Sequence, residues 1–151
     1  MDAQKIVLPN EIMLAEVSAL LDEGRPVVIM TKGCSMLPFI RGEKDSVELV
    51  KRDSYSEGDI VLSQISSGHY VLHRIFALDG DRVTLKGDGN LVGTESCLIS
   101  DICGTAVAII RPDETRRDCT EPRFERRSRR WRRSPYIVRR LFLAFYRRVI
   151  L

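Results

Sequence analysis

Ser35 is the first residue of this sequence whose setting suggests chemistry. It lies in the segment GCSMLP (residues 33–38), after a β-branched run typical of a strand and before an apolar stretch that contains a proline. Such a turn can hold a hydroxyl at a rigid edge with backbone N–H groups near it. A nucleophilic serine needs such donors to stabilise the oxyanion that forms on the substrate carbonyl oxygen. The residues predicted to form this substrate-binding and oxyanion position are Gly33, Cys34, Met36 and Pro38.

His73 is the candidate base for that serine. It lies in the strand-like run YVLHRI (residues 70–75), where alternation places it on the same face as Val71 and Ile75. An imidazole on a buried face must find a polar partner, and a general base must reach the hydroxyl that it deprotonates. The pattern leaves open a purely structural histidine in the core.

Asp88 is the candidate acid. It lies between two glycines in the segment KGDGN (residues 86–90), which permit an unusual backbone path and let the carboxylate face inward. There it could orient the His73 imidazole and stabilise the imidazolium, as the acid of a Ser-His-Asp set does. An ordinary Asp-Gly turn is the alternative that this pattern leaves open.

Short strands are predicted to position these three residues. Turn-forming residues separate the runs, and Asp79-Gly80 between two of them favours a tight hairpin. Before the strands, residues 10–23 have the apolar spacing of an amphipathic helix, with Asn10 as its N-cap and Gly24 at its end. The predicted strands cover residues 26–31, 46–50, 60–65, 70–78, 82–86 and 102–110. Six strands without intervening helices indicate a mostly β, antiparallel fold.

The charge of the chain is divided between two regions. Residues 1–111 carry 11 Lys and Arg against 16 Asp and Glu, a net charge of −5, whereas residues 112–151 carry 13 Arg against 5 acids, a net charge of +8. We therefore predict three parts: an N-terminal amphipathic helix (residues 1–24), a β domain (residues 25–111) and an Arg-rich tail (residues 112–151).

The tail ends in a run with helical spacing that begins at Pro135. With four arginines in about 17 residues, this basic helix is too short and too polar to span a bilayer but is suited to an interface. As the partner of this helix, an anionic membrane surface is favoured over nucleic acid, because phosphate contacts do not explain the apolar run LFLAF. The third alternative is that the helix packs on the β domain or on a partner protein. The residues predicted to contact a membrane or partner are Arg139, Arg140, Phe142, Phe145, Arg147 and Arg148.

The cysteines do not indicate a metal site. Cys34, Cys97, Cys103 and Cys119 lack CxxC spacing, so we predict four free thiols, no metal and no cofactor, with a Cys97–Cys103 pair open only in an oxidising compartment. The sequence contains no recognisable secretory leader and no membrane-spanning run. We expect a cytoplasmic protein, peripheral at the inner face of the membrane.

The motifs of this chain, in their order, resemble the signal peptidase and LexA-like serine peptidase superfamily. The resemblance covers about residues 25–110 and implies a LexA/signal peptidase-like antiparallel β fold. In the archaeal and endoplasmic-reticulum type signal peptidases a histidine takes the place of the lysine base, which implies Ser35 as nucleophile, His73 as general base and Asp88 as orienting acid. The blocks are Gly-x-Ser-Met-x-Pro at 33–38, Gly-Asp-Ile-Val at 58–61, His-Arg-Ile at 73–75, Gly-Asp-Gly-Asn at 87–90 and Asp-Ile-Cys-Gly at 101–104.

The chain departs from that family at several places. Gly33 stands where signal peptidases often carry a serine that helps the oxyanion hole, and Gly93-Thr94 stand where endoplasmic-reticulum type enzymes often carry a second Asp, with Glu95 as the nearest acid. The residues before the β region resemble neither a membrane anchor nor a helix-turn-helix. The resemblance therefore implies peptidase chemistry rather than either biological role.

We predict a serine endopeptidase that cleaves a peptide or protein precursor through an acyl-enzyme on Ser35. An extended substrate would pair with an exposed strand edge near the site. Two alternatives stay open at this point: a catalytically inactive peptide-binding module of the same fold, and a LexA-like regulatory protein that cleaves itself.

Overall fold

In its described residues, the protein consists of one large β-sheet and three α-helices. The computed structural model describes the backbone of residues 4–6 and 11–150 and the side chains of residues 13–150. The strands are β1 (Gln4–Ile6), β2 (Val27–Met30), β3 (Ser46–Val50), β4 (Ile60–Ser66), β5 (His69–Asp79), β6 (Arg82–Lys86), β7 (Glu95–Leu98), β8 (Ile102–Ile110) and β9 (Arg116–Asp118). The helices are α1 (Glu11–Asp22), α2 (Pro122–Arg133) and α3 (Tyr136–Val149), with a 3-10 turn at Ile99–Asp101.

The sheet is mostly antiparallel, as the strand pattern predicts. Its strand order is β1-β2-β3-β8-β4-β5-β6-β7, with β9 paired to β8, and among the described strands only the β1–β2 pair is parallel. The six predicted strands are present as β2 to β6 and β8. The Asp79-Gly80 turn joins β5 to β6, and Gly80 has a φ of 61°, which a residue without Cβ adopts at little cost.

Three short strands were not predicted. β1 and β9 have three residues each and β7 has four, so none is long enough to show a clear alternation. β9 reads Arg-Arg-Asp, a composition that does not favour strands. These three strands therefore form because they pair with a neighbouring strand, and their local sequences do not favour them.

Two buried clusters stabilise the sheet. In the larger one, Val17 and Leu21 of α1 pack against Leu49 and Ile109 on the sheet. The smaller one lies among β4, β5 and β6 and includes Val61, Ile75 and Leu85. The predicted N-terminal helix is confirmed as α1, while its proposed cap, Asn10, lies outside the described residues.

The Arg-rich region contains one more helix than predicted. α2 lies in a stretch so polar that its sequence shows no apolar stripe, yet Phe124 is 4% exposed and contacts Phe39 edge-on, with ring centroids 5.6 Å apart. α3 matches the predicted C-terminal helix. None of the described helices is long and apolar enough to cross a membrane.

Candidate active site

A buried carboxylate fixes the base of the loop that carries Ser35. Asp45 is fully buried; it accepts the backbone N–H of Arg41 at 2.8 Å and pairs with the guanidinium groups of Arg41, at 3.0 Å, and Arg111. Thr31 Oγ1 donates to the carbonyl of Asp45 at 2.8 Å. Hydrogen bonding to Asp45 also raises the pKa of Arg41. The two ends of the loop are therefore held together.

Two glycines bring the Asp88 loop against the Ser35 loop. The Gly89 N–H donates to the Ser35 carbonyl at 2.8 Å. A Cβ on Gly89 would collide with the carbonyl oxygen of Cys34, and one on Gly87 would collide with that of Ser35. The Gly-Asp-Gly pattern is thus required by the close approach of two backbones.

Ser35 and His73 line one cavity of about 230 Å³. Ser35 is half-buried in its turn, and His73 is 5% exposed on β5, where it pairs with Val61 of β4. The fold therefore brings the predicted nucleophile and base to the same cavity, although 38 positions separate them in the chain. The other walls are largely apolar and include Ile29, Met30, Met36, Ile40, Leu62, Tyr70 and Leu72.

The carboxylate beside His73 belongs to Glu95. Its Oε1 lies 3.1 Å from His73 Nδ1, and the Glu95 side chain is 27% exposed at the start of β7. Within residues 13–150, neither Nδ1 nor the second oxygen of Glu95 has a well-aligned hydrogen bond. The two atoms are within ion-pair distance, but their geometry is not that of an aligned hydrogen bond.

Asp88 does not contact His73, and its predicted role as the orienting acid is corrected. Both of its oxygens accept hydrogen bonds from Arg74, at 2.8 Å from Nε and 2.6 Å from Nη2, and the two side chains are 2% and 4% exposed. Successive strand residues face opposite sides of the sheet, so Arg74 holds Asp88 away from the face of His73. A permanently charged guanidinium that binds both oxygens attracts a carboxylate more strongly than an imidazole does.

The position of Glu95 follows from the register of three strands. Ile75 of β5 pairs with Leu85 of β6, and Leu85 pairs with Glu95 of β7. The only sequence signal is that Glu95 is the nearest acid to the position where endoplasmic-reticulum type signal peptidases, which the motif order resembles, often carry a second Asp. Because β7 was not predicted, this register could not be read from the sequence.

The donors available for an oxyanion are the backbone N–H groups of Ser35 and Met36. Across the described part of the chain, no protein atom accepts either one, whereas the Gly33 N–H donates to Glu43 Oε1 at 3.3 Å. Gly33 and Met36 line the cavity; Cys34 and Pro38 do not. Of the four residues predicted for substrate and oxyanion contacts, only these two lie at the cavity.

The four cysteines are free thiols. Cys34 is exposed, and Cys97 and Cys103 are buried. Burial raises the pKa of Cys119 to about 12 and raises the pKa of Cys97 and of Cys103. Cys34 is therefore the most accessible thiol, and its side chain lies outside the cavity of Ser35.

The residues predicted for membrane or partner contact lie on different sides of α3. Leu143 is 2% exposed and packs inward, while Arg140, Arg147 and Arg148 are exposed. Arg139 is half-buried and lines a cavity beside Trp131. The large aliphatic and phenylalanine side chains that α3 exposes are Ile137, Val138, Leu141, Phe142, Phe145 and Val149.

Comparison with known proteins gives no family assignment. No protein-family model matches this chain, and no curated protein matches it. The functional interpretation therefore depends on the geometry of the cavity and on the order of the sequence motifs.

Proposed function

We propose that this protein is a serine endopeptidase with a LexA/signal peptidase-like fold that cleaves a peptide or protein precursor. The observation that supports this proposal is the meeting of Ser35 and His73 at one largely apolar cavity, with Glu95 at the Nδ1 side of the imidazole. A serine, a base and an acid that orients the base are the components of nucleophilic acyl transfer.

The proposed reaction begins with His73. Because Nδ1 faces Glu95, Nε2 takes the proton of Ser35 Oγ as the oxygen attacks the substrate carbonyl carbon. Glu95 stabilises the imidazolium, and the N–H groups of Ser35 and Met36 donate to the oxyanion. His73 then protonates the leaving amine. A water molecule that is deprotonated by His73 hydrolyses the acyl-enzyme and restores the Ser35 hydroxyl.

The substrate is proposed to bind in an extended conformation along β5. β6 pairs with β5 only from Arg74 onward, so in the described sheet one edge of residues 70–73 has no neighbouring strand. These four residues also line the cavity. A peptide can add to this edge through main-chain hydrogen bonds, while the apolar walls accept its small or apolar side chains.

Covalent labelling with a serine-directed phosphonate tests this proposal. We expect one label per chain in the parent protein and none in Ser35→Ala or His73→Ala. Ser67→Ala and His69→Ala are matched controls, because both residues are exposed and lie outside the cavity; they should label like the parent. A folded parent that resists labelling, or labelling that persists in Ser35→Ala, would contradict the proposal; peptide binding without labelling would support the inactive module.

We further propose that α3 attaches the protein peripherally to an anionic membrane surface at the cytoplasmic face. The supporting observation is that six large apolar side chains of this helix are exposed while Leu143 packs inward. The exposed Arg140, Arg147 and Arg148 each favour anionic lipid by about 1 kcal/mol near the surface. Apolar burial and charge thus act together.

Sedimentation with lipid vesicles tests the membrane proposal. Vesicles that contain phosphatidylglycerol should bind the parent, and Phe145→Asp should weaken binding at least about tenfold by placing a charge in the apolar stripe. Val92→Asp is the control, because Val92 is an exposed apolar residue outside α3. Salt-sensitive binding to duplex DNA with no vesicle binding would instead support nucleic-acid recognition.

A further inference from the structure

A second cavity lies beside the Gly87-Asp88 loop. It has a volume of about 250 Å³, is formed by β5, β6 and the two C-terminal helices, and shares no lining residue with the cavity of Ser35 and His73. A water molecule occupies about 30 Å³, so this space is large enough for a small organic molecule.

The charge of this cavity is strongly positive. Lys86, Arg132 and Arg139 line it together with the Arg74–Asp88 pair, whose charges cancel. In the part of the chain with described side chains, no carboxylate lies within 4.0 Å of a nitrogen of these three cations. The cavity therefore has three positive charges without a direct counter-charge.

Two of these cations have hydrogen-bond donors without acceptors. The Nε atoms of Arg132 and Arg139 are buried, and neither has a partner within residues 13–150. A buried N–H without an acceptor destabilises the folded protein. Burial, followed by the neighbouring charge of Arg74, lowers the pKa of Arg132. A bound oxyanion would place a negative charge beside these guanidinium groups and offset the repulsion.

The uncharged walls are aromatic or aliphatic. Trp131 and Ile75 line the cavity, as does Phe76, whose ring lies 5.4 Å from Lys86 Nζ. Trp131 is held in place by its indole N–H, which donates to the Asp88 carbonyl at 2.9 Å. An anion that fits this cavity would therefore carry an apolar or aromatic group next to its charge.

We propose that this cavity binds a phosphate monoester attached to an apolar or aromatic group. Three cations favour a phosphate monoester, with about 1.5–2 negative charges at pH 7, over a singly charged carboxylate. The planar guanidinium groups of Arg132 and Arg139 suit the paired oxygens of phosphate. A soluble metabolite and the headgroup of a lipid such as phosphatidic acid share this chemistry.

Fluorescence of Trp131, the single tryptophan of the chain, provides the readout. Phenyl phosphate should change it saturably, whereas benzoate at equal ionic strength should bind at least about tenfold more weakly. Arg132→Gln should weaken phenyl phosphate binding at least about tenfold. Arg133→Gln is the matched control, because Arg133 is the next residue of α2, is exposed and does not line the cavity.

Vesicles that contain phosphatidic acid separate the two sources of phosphate. If the ligand is a lipid headgroup, Arg132→Gln weakens vesicle binding and phenyl phosphate competes with the vesicles; if it is soluble, only phenyl phosphate binding changes. If Arg132→Gln fails to fold by thermal melting, Lys86→Gln replaces it. Absence of a saturable change in the parent, equal binding of benzoate, or equal loss in Arg133→Gln would overturn the proposal.

Discussion

His73 and Arg74 are consecutive residues of β5 with opposite surroundings. Both are buried, at 5% and 3% exposure, and each has a carboxylate next to it. Arg74 binds both oxygens of Asp88 and donates a third hydrogen bond to the Gly58 carbonyl at 2.8 Å. His73 faces an open cavity, and its contact with Glu95 is not aligned.

The difference indicates which buried side chain is structural and which is available for chemistry. A buried ion pair with all of its strong hydrogen bonds made has little to gain from a ligand, but loss of one partner leaves an uncompensated charge. An imidazole with a free nitrogen beside a cavity can transfer a proton. Changes at His73 should therefore lower activity, whereas changes at the Arg74–Asp88 pair should lower stability.

The largest expected effect is on the His73 face. His73→Gln should lower the rate of phosphonate labelling by about 10³–10⁴-fold, because the side chain keeps its polarity but cannot act as a base. The thermal midpoint should change little. A stopped-flow or timed mass-spectrometric assay measures the rate, and His69→Gln is the control. A variant that labels at the parental rate would remove His73 from the mechanism.

The next effect should appear in stability. Asp88→Asn leaves the buried Arg74 guanidinium without its counter-charge, so the free energy of unfolding should fall by about 3–5 kcal/mol. Urea denaturation followed by circular dichroism measures it. Asp79→Asn, the same change at an exposed end of β5, should have little effect. If both variants are equally stable, the ion pair is not structural.

Glu95→Gln should have a smaller effect, confined to activity. The amide keeps the shape of the side chain but removes the charge that stabilises the His73 imidazolium, so we expect labelling to slow by about 10²-fold. Stability should stay close to that of the parent because Glu95 is partly exposed. Glu23→Gln serves as the control, since Glu23 is an exposed acid at the end of α1. A parental rate would show that Glu95 is not the orienting acid.

The smallest effect is expected where α2 meets the Asp88 loop. Trp131→Phe removes the hydrogen bond to the Asp88 carbonyl but keeps an aromatic ring, so the free energy of unfolding should fall by about 1 kcal/mol. Urea denaturation in parallel with the parent measures this difference. An unchanged urea midpoint in Trp131→Phe would mean that α2 does not support the Asp88 loop. The stability lost in Asp88→Asn would then be attributed to the Arg74 ion pair alone.

Much of the sheet could be predicted from local sequence. Alternating and β-branched runs predicted six strands because burial of one face requires that pattern, and Asp79-Gly80 predicted the β5–β6 turn because it suits a tight hairpin. The helix α2 could not be predicted in this way, since one buried ring, Phe124, anchors an otherwise polar helix. Tertiary packing outweighs composition there.

The residue types and spacing alone determined a serine in a tight turn, a histidine on a buried strand face and a glycine-rich loop. They also determined a basic helix at the C-terminal end. Only the tertiary structure decided that Arg74 forms an ion pair with Asp88 and that Glu95 lies next to His73. The physical reason is that the partner of each carboxylate depends on its distance from the available cations and on which of them binds it most strongly. Both depend on the register of strands that are far apart in the chain.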